Sequence, residues 1–70
     1  MVKAMTLDRT DQRSRRRRAR ITQSELAARL GISMSKVSEY ETGKRPLPWE
    51  LTAEDYERAL AELCRERKSA

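Results

Sequence analysis

Residues 21–43, ITQSELAARLGISMSKVSEYETG, have the pattern of two short helices joined by a glycine turn. Thr22 is placed to cap the first helix, and Glu25 three residues later completes a capping box. Gly31 follows the apolar residues of that helix, where the chain must enter a left-handed conformation that glycine tolerates. Ser33 is placed to cap a second helix, which ends at the second glycine of the stretch. The pattern therefore predicts a helix pair with a tight turn.

Helical periodicity divides this pair into an inward and an outward side. Leu26, Ala27 and Leu30 share one side of the first helix, and Val37 and Tyr40 direct the second helix inward. The outward side of the second helix is then largely polar and consists of Met34, Ser35, Ser38, Glu39 and Thr42. We expect the function to lie on this outward side.

The length of 70 residues, 37% of them apolar, allows one small domain and excludes two. We expect residues 1–5 to be a frayed leader and residues 6–68 to form the domain. A chain of this size buries little apolar surface, so a partner subunit is expected to add stability.

The net charge of +5 is unevenly distributed, with +6 in residues 1–20, +1 in residues 21–48 and −2 in residues 49–70. A strongly basic amino-terminal segment favours nucleic acid as the partner. A membrane is not expected, because no apolar run approaches the roughly 20 residues that a span needs. With one cysteine and no histidine, the chain has no internal disulfide and lacks ligands for zinc. We therefore expect no metal or other cofactor, and a reducing cytoplasm as the location.

The basic segment before the pair predicts a first helix over about residues 7–19, with Thr6 as its cap. Two interpretations of residues 13–20 remain open. Blocks of like charge repel one another, which favours a disordered basic arm. The preferred interpretation is a helix that presents several guanidinium groups to phosphates, since DNA would remove that repulsion.

Residues 44–51, KRPLPWEL, form a proline-broken connection. We expect Leu47, Trp49 and Leu51 to cover the side of the core, and the alternative for Trp49 is a subunit interface. Thr52 and Asp55 resemble another capping box.

That capping box opens a last helix, which continues to about Lys68. Its apolar stripe of Ala53, Tyr56, Leu60 and Leu63 is interpreted as core, dimer interface or both.

Four matching elements, Arg16, residues 21–31, Val37 and residues 41–46, resemble the Cro/C1-type (XRE-like) helix-turn-helix family of phage repressors and small bacterial regulators. The resemblance covers about residues 12–63. It implies an all-α bundle of four or five short helices, in which helices 2 and 3 form the helix-turn-helix. Helix 3 would enter the major groove of DNA.

The resemblance also implies roles for individual residues. It assigns base reading to Met34, Ser35 and Glu39. Lys36 lies beside them and joins the base-reading set, within reach of either a guanine or a phosphate. The alternative for Glu39 is a solvated pair with Lys36. Together with the charge pattern, the resemblance assigns phosphate contacts to Arg17, Arg18, Arg20, Thr22, Gln23, Thr42, Lys44 and Arg45.

Arg16 and Glu41 match an ion pair that joins helix 1 to the end of helix 3 in this family, an architectural contact. Gln12 and Arg15 depart from the family, because they stand near positions that are usually apolar. The packing of helix 1 is therefore in question, and the departure favours an unusually strong phosphate contact by this helix.

The expected function is a sequence-specific transcriptional regulator of the small phage or prophage Cro type, a repressor that binds an inverted repeat in double-stranded DNA as a homodimer. The sequence does not distinguish this repressor from an antitoxin or a restriction-modification controller. The alternative is a sequence-indifferent architectural or RNA-binding protein that acts through its arginine cluster, and a third possibility is a protein-binding adaptor. Neither an enzyme nor a small-molecule ligand is expected, since the acidic residues are spread as helix caps and ion pairs.

Overall fold

The computed structural model describes residues 8–69, and their side chains up to residue 67. Within these residues the chain forms four α-helices and no strand: α1 (Arg9–Arg18), α2 (Gln23–Leu30), α3 (Met34–Thr42) and α4 (Ala53–Ser69). The predicted all-α bundle is confirmed, with four helices in the described part. No described helix combines the length and the apolar character that crossing a bilayer requires. The expected leader at residues 1–5 and the expected cap Thr6 lie outside the described residues.

Helix α1 begins at Arg9, about two residues later than expected. The cause is Asp8, whose backbone is extended and whose side chain accepts a hydrogen bond from the Thr10 amide at 3.1 Å. The arginine-rich run that follows is helical to Arg18, so the chain does not form a disordered arm there. The run then turns at Arg20, which adopts a left-handed φ of +61°.

The central helix pair has the predicted local chemistry. Thr22 and Glu25 form the reciprocal capping box, with the Glu25 amide 3.0 Å from the Thr22 hydroxyl. Gly31 lies at φ +78°, where a side chain is disfavoured. The Ser33 hydroxyl accepts a hydrogen bond from the Lys36 amide at 3.3 Å and so caps α3. The turn therefore matches the one predicted.

The connection between α3 and α4 agrees with the prediction only in part. Leu47 is buried and Leu51 half-buried against the core, as expected, but Trp49 is 91% exposed. The chain makes a tight turn in which the Leu51 amide donates to the Pro48 carbonyl at 2.8 Å. Both flanking leucines pack on the core while Trp49 stands out from this turn. The expectation that Trp49 covers the core was therefore wrong.

The core lies where α2, α3 and α4 meet, and α1 packs on α3 and α4. Tyr56 and Leu60 of the α4 stripe are almost fully buried inside the chain, and Ala59 joins them. Tyr56, Leu60 and Leu63 of the stripe are therefore core, whereas Ala53 is half-buried. The buried apolar residues are Ile21, Leu26, Ala27, Val37, Leu47, Tyr56, Ala59, Leu60 and Leu63.

Candidate nucleic-acid interface

The outward face of α3, defined here as Met34, Ser35, Lys36 and Glu39, is open to solvent. Its position follows from Val37, which is fully buried and fixes the rotation of the helix. Met34 is 51% exposed, and Ser35 and Lys36 are exposed as well. Glu39, one turn further along, is half-buried. The fold thus brings all four residues predicted to read bases to the surface of one short helix.

Glu39 is paired with Arg45, and not with Lys36 as the alternative interpretation had it. The Arg45 Nε atom lies 3.7 Å from Glu39 Oε1. The backbone explains why: after Gly43, at φ +84°, the amides of Lys44 and Arg45 both donate to the Glu39 carbonyl, at 2.9 and 3.3 Å. The first residues of the connection therefore fold back over the end of α3.

On the opposite side of α3, Glu41 is buried against Arg16. Arg16 donates from Nε and Nη2 to the two Glu41 carboxylate oxygens, at 2.7 and 2.9 Å. Its Nη1 donates to the carbonyl of Ile21 at 2.7 Å. Arg16 is 7% and Glu41 4% exposed. Each charge has its hydrogen-bond partners, which a buried ion pair requires.

Two further side chains complete this group, the Glu41 cluster of Arg16, Gln23, Glu41 and Tyr56. The Tyr56 hydroxyl donates to Glu41 Oε2 at 2.5 Å, and Gln23 Nε2 donates to Glu41 Oε1 at 3.0 Å. The cluster therefore joins all four helices at a single carboxylate. Sequence reasoning missed Tyr56 and the Gln23 contact, because both depend on how distant helices pack.

The environment shifts the pKa values of the cluster. Burial by itself would raise the pKa of Glu41, but hydrogen bonds from Arg16, Tyr56 and Gln23 outweigh it and hold this pKa below its usual value. Burial, followed by the hydrogen bond to Glu41, raises the pKa of Tyr56 far above its usual value. The ionised carboxylate with a neutral phenol is thus the favoured state.

Gln23 also bears on the interface, since it begins α2 at the surface. An amide NH₂ group carries two donors, and one of them is directed to Glu41. Gln23 is half-buried, and it lies at a helix terminus whose exposed amides attract anions. The structure thus places Gln23 between the Glu41 carboxylate and the solvent.

Helix α1 packs on α3 and α4 partly through the polar side chains of Gln12 and Arg15. Gln12, fully buried, donates from Nε2 to the Ala53 carbonyl at 3.2 Å and to Glu57 at 2.9 Å, and it accepts from the Tyr40 hydroxyl at 2.6 Å. Arg15 forms a two-pronged contact with Glu57, which lowers the pKa of that carboxyl. These polar contacts answer the question about α1 packing, because Gln12 and Arg15 join α1 to α3 and α4.

This network also limits how many arginines of α1 can meet phosphate. Arg15 and Arg16 are occupied by Glu57 and Glu41, and Arg13 lies 3.9 Å from Glu41. Arg17 and Arg18 remain exposed and line an open surface depression with Ser14. Arg17 and Arg18, the two α1 residues predicted to contact phosphate, thus have no ion pair with the described residues.

The remaining residues predicted to contact phosphate lie on the surface near the helix ends. Thr22 and Arg20 flank the start of α2, although the Thr22 hydroxyl is already used in the cap. The Thr42 hydroxyl donates to the Ser38 carbonyl at 3.0 Å. Lys44 and Arg45 are exposed just after α3.

A family model described as a helix-turn-helix domain matches residues 13–67. The matched segment extends from the middle of α1 into α4 and contains the outward face of α3 and the whole Glu41 cluster. No curated protein and no solved structure gave a significant match to the chain.

Proposed function

The chain belongs to the helix-turn-helix domain family, and from that premise we propose that it is a sequence-specific, DNA-binding transcriptional regulator. The proposal rests on one observation, the contrast between exposed α3 side chains without a hydrogen-bond or ion-pair partner and buried polar side chains that all have one. Met34, Ser35 and Lys36 make no side-chain hydrogen bond or ion pair with the described residues, whereas Gln12, Arg16 and the other buried polar groups all do. These three side chains are free to meet another molecule.

In this proposal α3 lies in the major groove with its first turn against base edges. The Ser35 hydroxyl can bond to several bases, the Lys36 ammonium suits guanine or a phosphate, and Met34 packs on a thymine methyl group. Val37 and the Ser33 cap support this turn from behind and from its start.

Phosphate contacts flank the groove. Gln23 and Thr22 present the amino-terminal end of α2, where backbone amides and the helix dipole favour an anion. Arg17 and Arg18 supply exposed charge from α1. The other contacts come from Arg20, Thr42 and Lys44.

The finer biology in this proposal is a small repressor of the phage Cro type that binds an inverted repeat as a homodimer, with half-sites about 34 Å apart. Most of the α4 stripe is buried within each chain, so in this proposal the two copies meet through another surface. Trp49 is the large apolar side chain that the described structure leaves exposed away from α3. Sedimentation of the protein with and without a palindromic duplex tests for the homodimer. A complex of strictly one chain per duplex would contradict it.

Selection of bound sequences from a random DNA pool tests the central proposal. A regulator enriches a palindromic consensus, whereas an architectural protein that acts through its arginines enriches nothing. The variant Met34→Ala/Ser35→Ala then serves as the second test. We expect it to lose affinity for the consensus and to keep its affinity for random DNA.

A further inference from the structure

We propose that Glu39 is a positioning residue: it holds Arg45 beside the outward face of α3, and Arg45 reads a guanine in the major groove. This inference rests on the proposed function. It reassigns both residues, since the sequence suggested that Glu39 reads a base directly and that Arg45 contacts a phosphate.

Arg45 contacts Glu39 through both its backbone and its side chain. Its amide donates to the Glu39 carbonyl at 3.3 Å, next to the same contact from Lys44 at 2.9 Å. Its Nε lies 3.7 Å from the Glu39 carboxylate. A long side chain held at its base and near its tip explores fewer conformations, which reduces the entropy that binding must remove.

The geometry of the guanidinium leaves its reading edge free. The Arg45 side chain is 73% exposed, and its Nη1 and Nη2 atoms make no hydrogen bond with the described residues. With Nε turned toward Glu39, these two nitrogens remain available as a planar pair of donors. Such a pair matches the O6 and N7 acceptors of guanine.

Charge favours the same assignment. A carboxylate that enters the groove alone is repelled by the phosphates, whereas one beside an arginine is neutralised. Glu39 retains 38% exposure of its side chain, so it can keep this partner while α3 lies in the groove.

Position distinguishes Arg45 from its neighbour Lys44. Glu39 follows Ser35 by one helical turn on the outward face, so a guanidinium held there lies beside the base-reading residues. Lys44 has the same charge and is exposed, but no side-chain ion pair ties it to the described residues. Lys44 therefore serves as the matched control for a phosphate contact.

The test is selection of bound DNA sequences, followed by Kd measurements on the consensus and on single-base variants. The proteins compared are the wild type, Glu39→Gln, Arg45→Ala, the double variant and Lys44→Ala. We expect one guanine per half-site whose replacement weakens wild-type binding about tenfold or more. Arg45→Ala loses this preference, Glu39→Gln loses most of it, and the double variant behaves as Arg45→Ala. Lys44→Ala weakens binding to every sequence alike.

Three results would overturn the inference. If Arg45→Ala weakens all sequences equally, Arg45 contacts a phosphate. If Glu39→Gln still changes base preference when Arg45 is already alanine, Glu39 reads the base itself. If Glu39→Gln leaves the guanine preference intact, Glu39 does not position Arg45. A wild type that enriches no sequence contradicts the proposed function itself, and thermal unfolding of each variant confirms that the folded state is retained.

Discussion

Two glutamates two residues apart on α3 have opposite surroundings. Glu41 is 4% exposed and accepts hydrogen bonds from three other helices, whereas the Glu39 side chain is 38% exposed and has one cation at 3.7 Å. A separation of two residues turns a side chain by about 200° around a helix. The same chemical group thus serves the fold on one side of α3 and remains available to a partner on the other.

The comparison indicates how a chain with so many polar residues keeps the surface proposed to bind DNA separate from its core. The buried polar groups on the inner side form hydrogen bonds within the protein, and no buried polar side-chain atom among the described residues lacks a partner. This leaves the outer residues with few intramolecular contacts to give up when they bind. Mutations on the two sides should therefore separate stability from recognition.

The largest effect is expected from Glu41→Ala. Removing this carboxylate leaves the buried Arg16 guanidinium without its counter-charge, a change that costs about 3–5 kcal/mol. Urea unfolding followed by circular dichroism measures the loss. Glu39→Ala is the matched control and should change the free energy of unfolding by less than about 1 kcal/mol. Equal losses in the two variants would contradict the division between the two faces.

A smaller loss is expected from Tyr56→Phe. The ring stays in the core and keeps its contact with Tyr40, whose ring centroid lies 5.4 Å away, while the hydroxyl donor to Glu41 is lost. Removing a hydrogen bond to a charged group costs about 1.5–3 kcal/mol. The same unfolding measurement applies, and an unchanged midpoint would show that this hydrogen bond contributes nothing to stability.

Acid should weaken the fold through the same cluster. The pKa of Glu41 is lower in the folded state than its usual value, so its contribution is present above the unfolded pKa of about 4.5 and is lost as pH falls through the folded pKa. Glu57, whose pKa is also lowered, adds to the loss. Stability measured from pH 7 downward should therefore fall less steeply in Glu41→Gln than in the wild type. If stability falls with pH equally steeply in the two proteins, Glu41 does not contribute to the loss of stability in acid.

Much of the helix pair could be predicted because its signals are local. A hydroxyl cap at Thr22 or Ser33 and a glycine at a left-handed position act within a single turn, so residues 21–43 contain them. The start of α1 was missed since Asp8 and Thr6 are both capable caps. Helical periodicity placed Met34, Ser35 and Glu39 on the outward face, and Lys36 was added because it lies beside them. The role of all four residues as base readers stays a prediction.

What could not be predicted depends on contacts between distant segments. Gln12 found its partners 28 to 45 residues away, on Tyr40, Ala53 and Glu57, and no local pattern specifies such partners. The same holds for the contact of Gln23 with Glu41. Trp49 was misplaced because the direction of a loop side chain depends on the turn at Pro48. The apolar ring of Trp49 favoured a buried position, but the backbone geometry of this turn leaves it exposed.

The smallest effect on folding, and a large one on binding, is expected from Arg17→Ala/Arg18→Ala. Both side chains are exposed and lie outside the Glu41 cluster, so the free energy of unfolding should change by no more than about 0.5 kcal/mol. If each contacts one phosphate, the slope of log Kd against log salt concentration falls by about 1.8. The loss should be equal on the consensus and on random DNA, because phosphate contacts carry no sequence information. An unchanged slope with normal stability would place these arginines away from the DNA backbone and leave its contacts to Gln23 and Lys44.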